Sequence, residues 1–375
     1  MPDLTIANTV TDLIQGDVQE HFAFSRIPLQ GDVLGLGTTS SLDNGELTFL
    51  PSLDGQRTTI WKCEAFNGGL RAVRDGDGSS NFPYVCFTRD ASSLQRPVEL
   101  SALTCSDDAP LQALVADAIR VGRQSGALEE AAIYGVRALT TWDELVITVA
   151  SKLCMGQQRR NRGFSSGSED GTKAEQSIYD MLQHSRLSPL PPDQPGDPIS
   201  YLGRSMQWDC CGFFNCEPER GRVTVPKAGD HLHLHGCSTD LACGGHVLHD
   251  HPNTRLGSIE QLVLYPLQTI ESLCSDLAIQ SLTYGDGQIH FSVSNAGALD
   301  VSDVGVAVVV DDRFSDHRYL QIPWMSAGES ESFSLAWPLP PGQHSIAVIA
   351  DPQELVIEPQ NRRQNNRMEL KVNIP

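Results

Sequence analysis

The chain has 375 residues, 40% apolar and 20% charged, with a formal net charge of −20 at pH 7. These values fit a globular protein with room for two or three domains. So strong a negative charge disfavours nucleic acid and anionic membrane surfaces, because both would meet electrostatic repulsion. No apolar run approaches the roughly 20 residues that span a bilayer. The N-terminal MPDLTIANTVTDLIQGD has neither the basic nor the apolar segment of a signal peptide, so the expected location is cytoplasmic.

Residues 1 to about 150 alternate short apolar runs with Gly, Asp and Asn turns, as in DVLGLGTTSSLDNGELTFLPSLDGQ, which predicts a strand-rich region with hairpins. Within it, PLQALVADAIRVGRQSG (110–126) carries Leu111, Leu114, Val115, Ala118 and Ile119 at helical spacing and ends at Gly126. A strand pair is expected from EEAAIYGVRALTTWDELVITVAS. Residues 155–228 turn polar and Pro-rich, with RRNRGFSSGSEDGTK, PLPPDQPGDP and CCGFFNC, and read as a long excursion from the domain. From 276 to 375 every segment is strand-like, with turn signals at intervals of about ten residues. That pattern predicts a seven-strand sandwich of immunoglobulin type, separate from a first domain over 1–275.

The stretch GDHLHLHGCSTDLACGGHVLHDH, residues 229–251, holds six of the 11 histidines. His231, His233 and His235 alternate with other residues, so on a strand they share one face. Two imidazoles at i and i+2 can reach one cation if a third ligand arrives from elsewhere. His246, after a glycine pair, opens the next strand, and a hairpin through STDLAC would bring it alongside. Three neutral imidazoles suit zinc, manganese, iron, cobalt or nickel.

Two family resemblances are carried by separate parts of the chain. H-L-H followed by G-G-H-V-L is similar to the signature of acetolactate decarboxylases, in which 11 positions separate the second histidine from the third. His235 to His246 has that spacing. The resemblance therefore implies His233, His235 and His246 as ligands, with zinc the expected ion, Asp240 as the turn carboxylate and His231 as a flanking residue. LQGDVLGLGTTSSLDNGELTFLPSLDG resembles another segment of the family, which implies Glu46 as an active-site carboxylate, with Asn44 inserted beside it. The family's active-site Arg falls on Thr148, the nearest arginines being Arg137 and Arg159. Glu260 and Glu271 are the candidates for the family's late Glu. SVSNAGALDVSD, SAGESESFSLAW, PGQHSIAVIADP and VIEPQNRRQNN resemble CARDB modules, which implies a structural or protein-contact role for the last 95 or so residues.

The resemblance implies an α+β, strand-dominated decarboxylase-like domain followed by an all-β sandwich. Its reaction would convert a 2-hydroxy-3-oxo acid, acetolactate in the family, to a 2-hydroxy ketone such as acetoin through a metal-bound enediolate. Two alternatives stay open: a metal-site protein that binds a small hydroxy or oxo acid without turnover, and another metal-dependent lyase or isomerase. The expected partner is that small molecule, with a contact through the sandwich and a homodimer left open. Cys210, Cys211, Cys216, Cys237 and Cys243 lack C-x2-C spacing, which favours free thiols over a structural zinc.

Overall fold

A computed structural model describes residues 2–14, 17, 19–39, 45–64, 69–76, 81–106, 109–149, 183–187, 206–225, 228–359 and 361–375. The chain divides into two compact units, Met1–Val18 with Phe22–Ser272, and Gln19–His21 with Leu273–Pro375. No helix among the described residues is long and apolar enough to cross a membrane.

The first unit contains two antiparallel sheets. Sheet I has the strand order Ile270–Leu273, Leu4–Ala7, Tyr84–Thr88, β1 (Gly35–Thr39), β2 (Gly45–Pro51), β3 (Thr58–Glu64) and Leu70–Ala72. Sheet II is built from β4 (Ile133–Val149), β5 (Gln207–Asn215), β6 (Leu232–Ser238), β7 (Gly244–Val247) and β8 (Arg255–Leu267). Its order is β5-β6-β7-β4-β8, with Arg96–Pro97 at the edge.

Alternation along each strand sorts sheet II into two faces. One carries Val136, Ala138, Trp208, Cys210, Leu234 and Leu262 onto Leu111, Val115, Ala118 and Ile119 of the helix Leu111–Ser125. That helix ends, as expected from the sequence, at Gly126 in the left-handed conformation. The opposite face turns Cys211, Phe213, Val263 and Tyr265 toward Leu4, Ile6, Leu36 and Tyr84 of sheet I. The layers are therefore helix, sheet II, sheet I, each buried Leu, Ile or Phe contributing about 1.5–3 kcal/mol.

Two expectations are corrected. The predicted strand pair at 129–151 is one 17-residue strand, β4. TTWDE contains no Gly, Pro or Asn to reverse the chain, and β4 instead bends through register shifts against β8 between Leu139 and Thr140 and on either side of Trp142. Its first half lies between β5 and β8, and its second half meets β7 at Ile147 and Thr148. The excursion read over 155–228 also ends earlier, because β5 is a buried strand of sheet II. CCGFFNC alternates between the faces: Cys210 and Phe214 join the helix-side core, Cys211 and Phe213 the inter-sheet core. Residues 150–182 and 188–205, including Arg159, lie outside the described residues.

The second unit has a three-stranded sheet, Leu277–Gly285, Gln288–Asn295 and Ser330–Ala336, and a four-stranded sheet ordered Arg318–Met325, Val301–Val310, Gly342–Ala350 and Arg367–Ile374. Ile289, Phe291 and Val293 of the first share a core with Val304, Val306, Val308, Ile346 and Val348 of the second. The residues that carried the second resemblance are structural here. Asn295 Nδ2 donates to the Leu299 carbonyl at 2.7 Å, and buried Glu358 accepts from Leu277 N and from Asn366 Nδ2.

Gly212 sets how closely β5 and β6 can pair, since a Cβ there would sit 2.0 Å from the His233 carbonyl oxygen. Gly212→Ala is expected to force the strands apart and destabilise the first unit by about 3 kcal/mol. Urea denaturation followed by tryptophan fluorescence checks this, and an unchanged midpoint would show that the pair yields without cost.

Candidate metal centre

The site is assembled by β6, its turn and β7. His233 and His235 pair across β5 with Phe213 and Cys211, so both imidazoles face the space between the sheets. The turn after Ser238 is held by Ser238 Oγ donating to Asp240 Oδ1 at 2.7 Å, Ala242 N donating to the same oxygen at 3.1 Å, and Ser238 N donating to the Cys243 carbonyl at 2.9 Å. Asp240 is thus an exposed turn acceptor, outside the histidine group. The turn returns the chain so that His246 lies opposite His235. Glycine is needed at 244, where a Cβ would come within 2.7 Å of the Gly236 carbonyl oxygen. His233, His235 and His246 each bring a ligand atom to within 4.8 Å of the other two.

Hydrogen bonding fixes what these rings present. His233 Nδ1 lies 2.7 Å from the Val223 carbonyl oxygen, and His235 Nδ1 2.8 Å from that of Leu47. A carbonyl only accepts, so both Nδ1 atoms carry hydrogen and both neutral rings present an Nε2 lone pair. Those Nε2 atoms are 3.2 Å apart. Protonation is disfavoured as a remedy: burial pushes His233 down to about 4 and His235 well below the ordinary range. A cation between the nitrogens resolves the repulsion. With metal–nitrogen bonds of about 2.0–2.1 Å, the edge of a tetrahedron is about 3.3 Å. The donor set therefore fits a metal ion.

Glu46 stands on β2, 5% exposed, with Oε2 3.7 Å from His235 Nε2. Its cross-strand neighbour on β3 is Cys63, whose thiol donates to the Gly244 carbonyl and is held protonated by burial and by Glu46. Thr148, onto which the sequence resemblance aligned an arginine, sits on β4 directly opposite His246. Arg137 is on the same face, one strand beyond Cys211 from His235. It is half-buried and pairs with Asp32 at 3.2 Å. Asp32 in turn accepts from Tyr265 Oη at 2.8 Å.

Other candidates lie elsewhere. Glu260 and Glu271 are exposed, and Glu260 accepts from Thr141 Oγ1 at 2.6 Å. His231 precedes β6, binds the Asn215 carbonyl through Nδ1 at 2.7 Å and stacks on Phe214. Of the five cysteines, Cys210 and Cys243 lie in the helix-side core and Cys211 in the inter-sheet core. Cys237 is buried on β6, and Cys216 points its thiol at the Ala131 carbonyl.

A cavity of 320 Å³ opens onto the centre, lined by His233, His246, Asp230, His249, Asp250 and His251 among others. Sequence reasoning missed His249, because its offset of three from His246 follows no strand period. It also missed the Val223 and Leu47 carbonyls, since backbone acceptors leave no signature in the sequence.

Residues 276–369 match the CARDB family. No curated protein matches the chain. Among solved structures, the crystal structure of acetolactate decarboxylase from Bacillus subtilis subspecies spizizenii is similar at 15% identity and a TM-score of 0.42, over 72% of this chain and 88% of that one. The solution structure of a CARDB domain from Pyrococcus furiosus is similar at 18% identity and a TM-score of 0.24, over 27% of this chain and 95% of that one. The crystal structure of the same domain, in complex with di-metal ions, gives 18% identity and a TM-score of 0.21, over 27% and 94% of the two chains.

Proposed function

We propose that the first unit is an α+β, metal-dependent decarboxylase of the acetolactate type, with zinc held by His233, His235 and His246. Its substrate class is the 2-hydroxy-3-oxo acids and its product a 2-hydroxy ketone. The second unit is then an immunoglobulin-type accessory module for protein contact. The observation that carries the reading is the pair of facing Nε2 lone pairs 3.2 Å apart, each fixed by a carbonyl behind its ring.

A bound divalent ion supplies Lewis acidity toward the ketone and hydroxyl oxygens of such a substrate. The histidines contribute by staying neutral, so the charge of the ion is undiminished. As the bond to the carboxylate breaks, its electron pair moves toward the ketone oxygen, CO2 leaves, and a proton must return to carbon. Glu46, buried beside His235, is the group suited to hold the substrate hydroxyl or deliver that proton. Thr148 provides no positive charge where the family has its Arg.

One observation favours a second reading, binding without turnover. Among the described residues, the cavity beside His233 and His246 is lined by Asp230 and Asp250 and by no Lys or Arg. A substrate carboxylate would meet no cationic side chain there, whereas a neutral hydroxy ketone needs none.

Three outcomes are expected. His233→Ala, His235→Ala and His246→Ala should each remove most bound zinc, measured by plasma mass spectrometry, while His231→Ala retains it; equal loss in the His231 variant would overturn the ligand assignment. With acetolactate as substrate, Glu46→Gln should keep its zinc and lose at least about 100-fold in acetoin formation. Zinc loss from that variant would make Glu46 a ligand, and no CO2 release from the wild type would leave the binding reading.

The third concerns pH. Unfolded histidines titrate near 6.5, above the value of about 4 for folded His233. Between those limits the unfolded chain binds more protons, so the metal-free protein should lose stability as pH falls, His233 contributing roughly 3 kcal/mol. Urea midpoints that stay level or rise as pH falls from about 7 to 5 would contradict buried neutral rings.

A further inference from the structure

The two carbonyls that aim the rings of the metal centre are held in different ways. Leu47, behind His235, lies inside β2 and is paired on both sides, with Gly37 of β1 and Lys62 of β3. Val223, behind His233, belongs to residues 221–225, which form neither strand nor helix and have no ladder to hold them. A carbonyl orients an imidazole only as firmly as its own peptide plane is held, and the Val223 carbonyl lies in the plane shared with Thr224. Val223 is fixed by burial, its side chain enclosed in the inter-sheet core. Thr224, equally buried, is fixed by a polar contact: Asn215 Nδ2 donates to Thr224 Oγ1 at 3.2 Å. The Asn215 amide is oriented by its other end, where Oδ1 accepts from Glu217 N at 3.0 Å. Asn215 is itself fully buried at the end of β5, and its backbone nitrogen donates to the His231 carbonyl at 2.8 Å, just ahead of β6.

We infer that Asn215 and Thr224 are positioning residues of the metal centre, their bond fixing the carbonyl that fixes the His233 ring. This rests on the metal-site reading above and adds to it the support behind one ligand. Asn215 bonds through its side chain to the segment that carries the carbonyl, and through its backbone to the chain that leads into the ring-bearing strand. One residue thereby sets the separation of the Val223 oxygen from His233 Nδ1. The other hold on this segment is upstream, where the Gly221 carbonyl accepts from Thr11 N at 3.2 Å and Thr11 Oγ1 at 3.0 Å. That contact lies two residues before Val223 and leaves the far side of the plane to Thr224. Without the tie the 223–224 peptide is free to rotate, and Nδ1–H loses its acceptor. The ring then turns, or moves its hydrogen to Nε2, where the lone pair for the ion should be.

Zinc affinity is the test, read by competition with a chromogenic chelator, with far-UV circular dichroism recorded on every sample. Thr224→Val keeps the shape and removes the acceptor, whereas Thr224→Ser keeps the hydroxyl. Partners behind a metal-bound histidine contribute about 10–100-fold in affinity. Thr224→Val is therefore expected to bind zinc about tenfold more weakly, and Thr224→Ser within about threefold of wild type. Asn215→Ala removes the same bond from its other end, so the double variant should bind no more weakly than the weaker single one. Val263→Ala, which opens the same core from β8, should stay within about threefold of wild type. Wild-type affinity in Thr224→Val, additive losses in the double variant, or an equal loss in Val263→Ala would overturn the inference while leaving the three ligands in place. A wild type that takes up no zinc would defeat the metal-site reading and this inference with it. The wild type alone gives a further readout, because coupling between two sites is reciprocal. Zinc should slow hydrogen exchange at the Asn215 side-chain amide by about tenfold, measured by NMR. Exchange that zinc leaves unchanged would overturn the role without any variant.

Discussion

Two imidazole nitrogens facing each other with their lone pairs 3.2 Å apart are the constraint on which the rest of the first unit depends. Left alone the arrangement is repulsive, and burial denies it the usual relief of protonation. It persists because the opposite nitrogen of each ring is tied to a backbone carbonyl, at Val223 for His233 and at Leu47 for His235. The Leu47 carbonyl belongs to β2 of sheet I, while the rings belong to β6 of sheet II. The packing of the two sheets is thus what aims His235, and the same β2 brings Glu46 to it.

The layer order follows from the same requirement. Leu232 and Leu234 fill the helix-side core, while His233 and His235, which alternate with them, turn to the inter-sheet side. A one-residue slip of β6 would exchange the leucines and histidines between faces, burying imidazoles against the helix. Gly212 and Gly244 guard that register by letting neighbouring backbones approach more closely than any side chain would allow. Packing and chemistry are in this sense specified by the same seven residues of β6.

Much of this was legible in the sequence, and the parts that were not share a physical cause. The alternation HLHLH named the strand face, STDLAC and the glycine pair named the hairpin, and Gly126 named the end of the helix. These are local signals, set by the geometry of neighbouring residues. The carbonyl behind His235 lies 188 residues away and has no side chain to read. The bend of β4 was missed because a bulge needs no Gly or Pro. β5 was missed because CCGFFNC is short, flanked by polar and Pro-rich sequence, and buried on both faces, so no polar alternation marks it as a strand.

Zinc K-edge X-ray absorption on the purified, zinc-loaded protein tests the central claim most directly. Thiols of Cys63 and Cys237 are buried in the same region, so sulfur is the natural competitor to imidazole. A first shell containing three nitrogens at about 2.0–2.1 Å with the outer-shell pattern of imidazole rings is the predicted result. A sulfur scatterer at about 2.3 Å, or a shell of oxygens alone, would contradict a centre built on His233, His235 and His246.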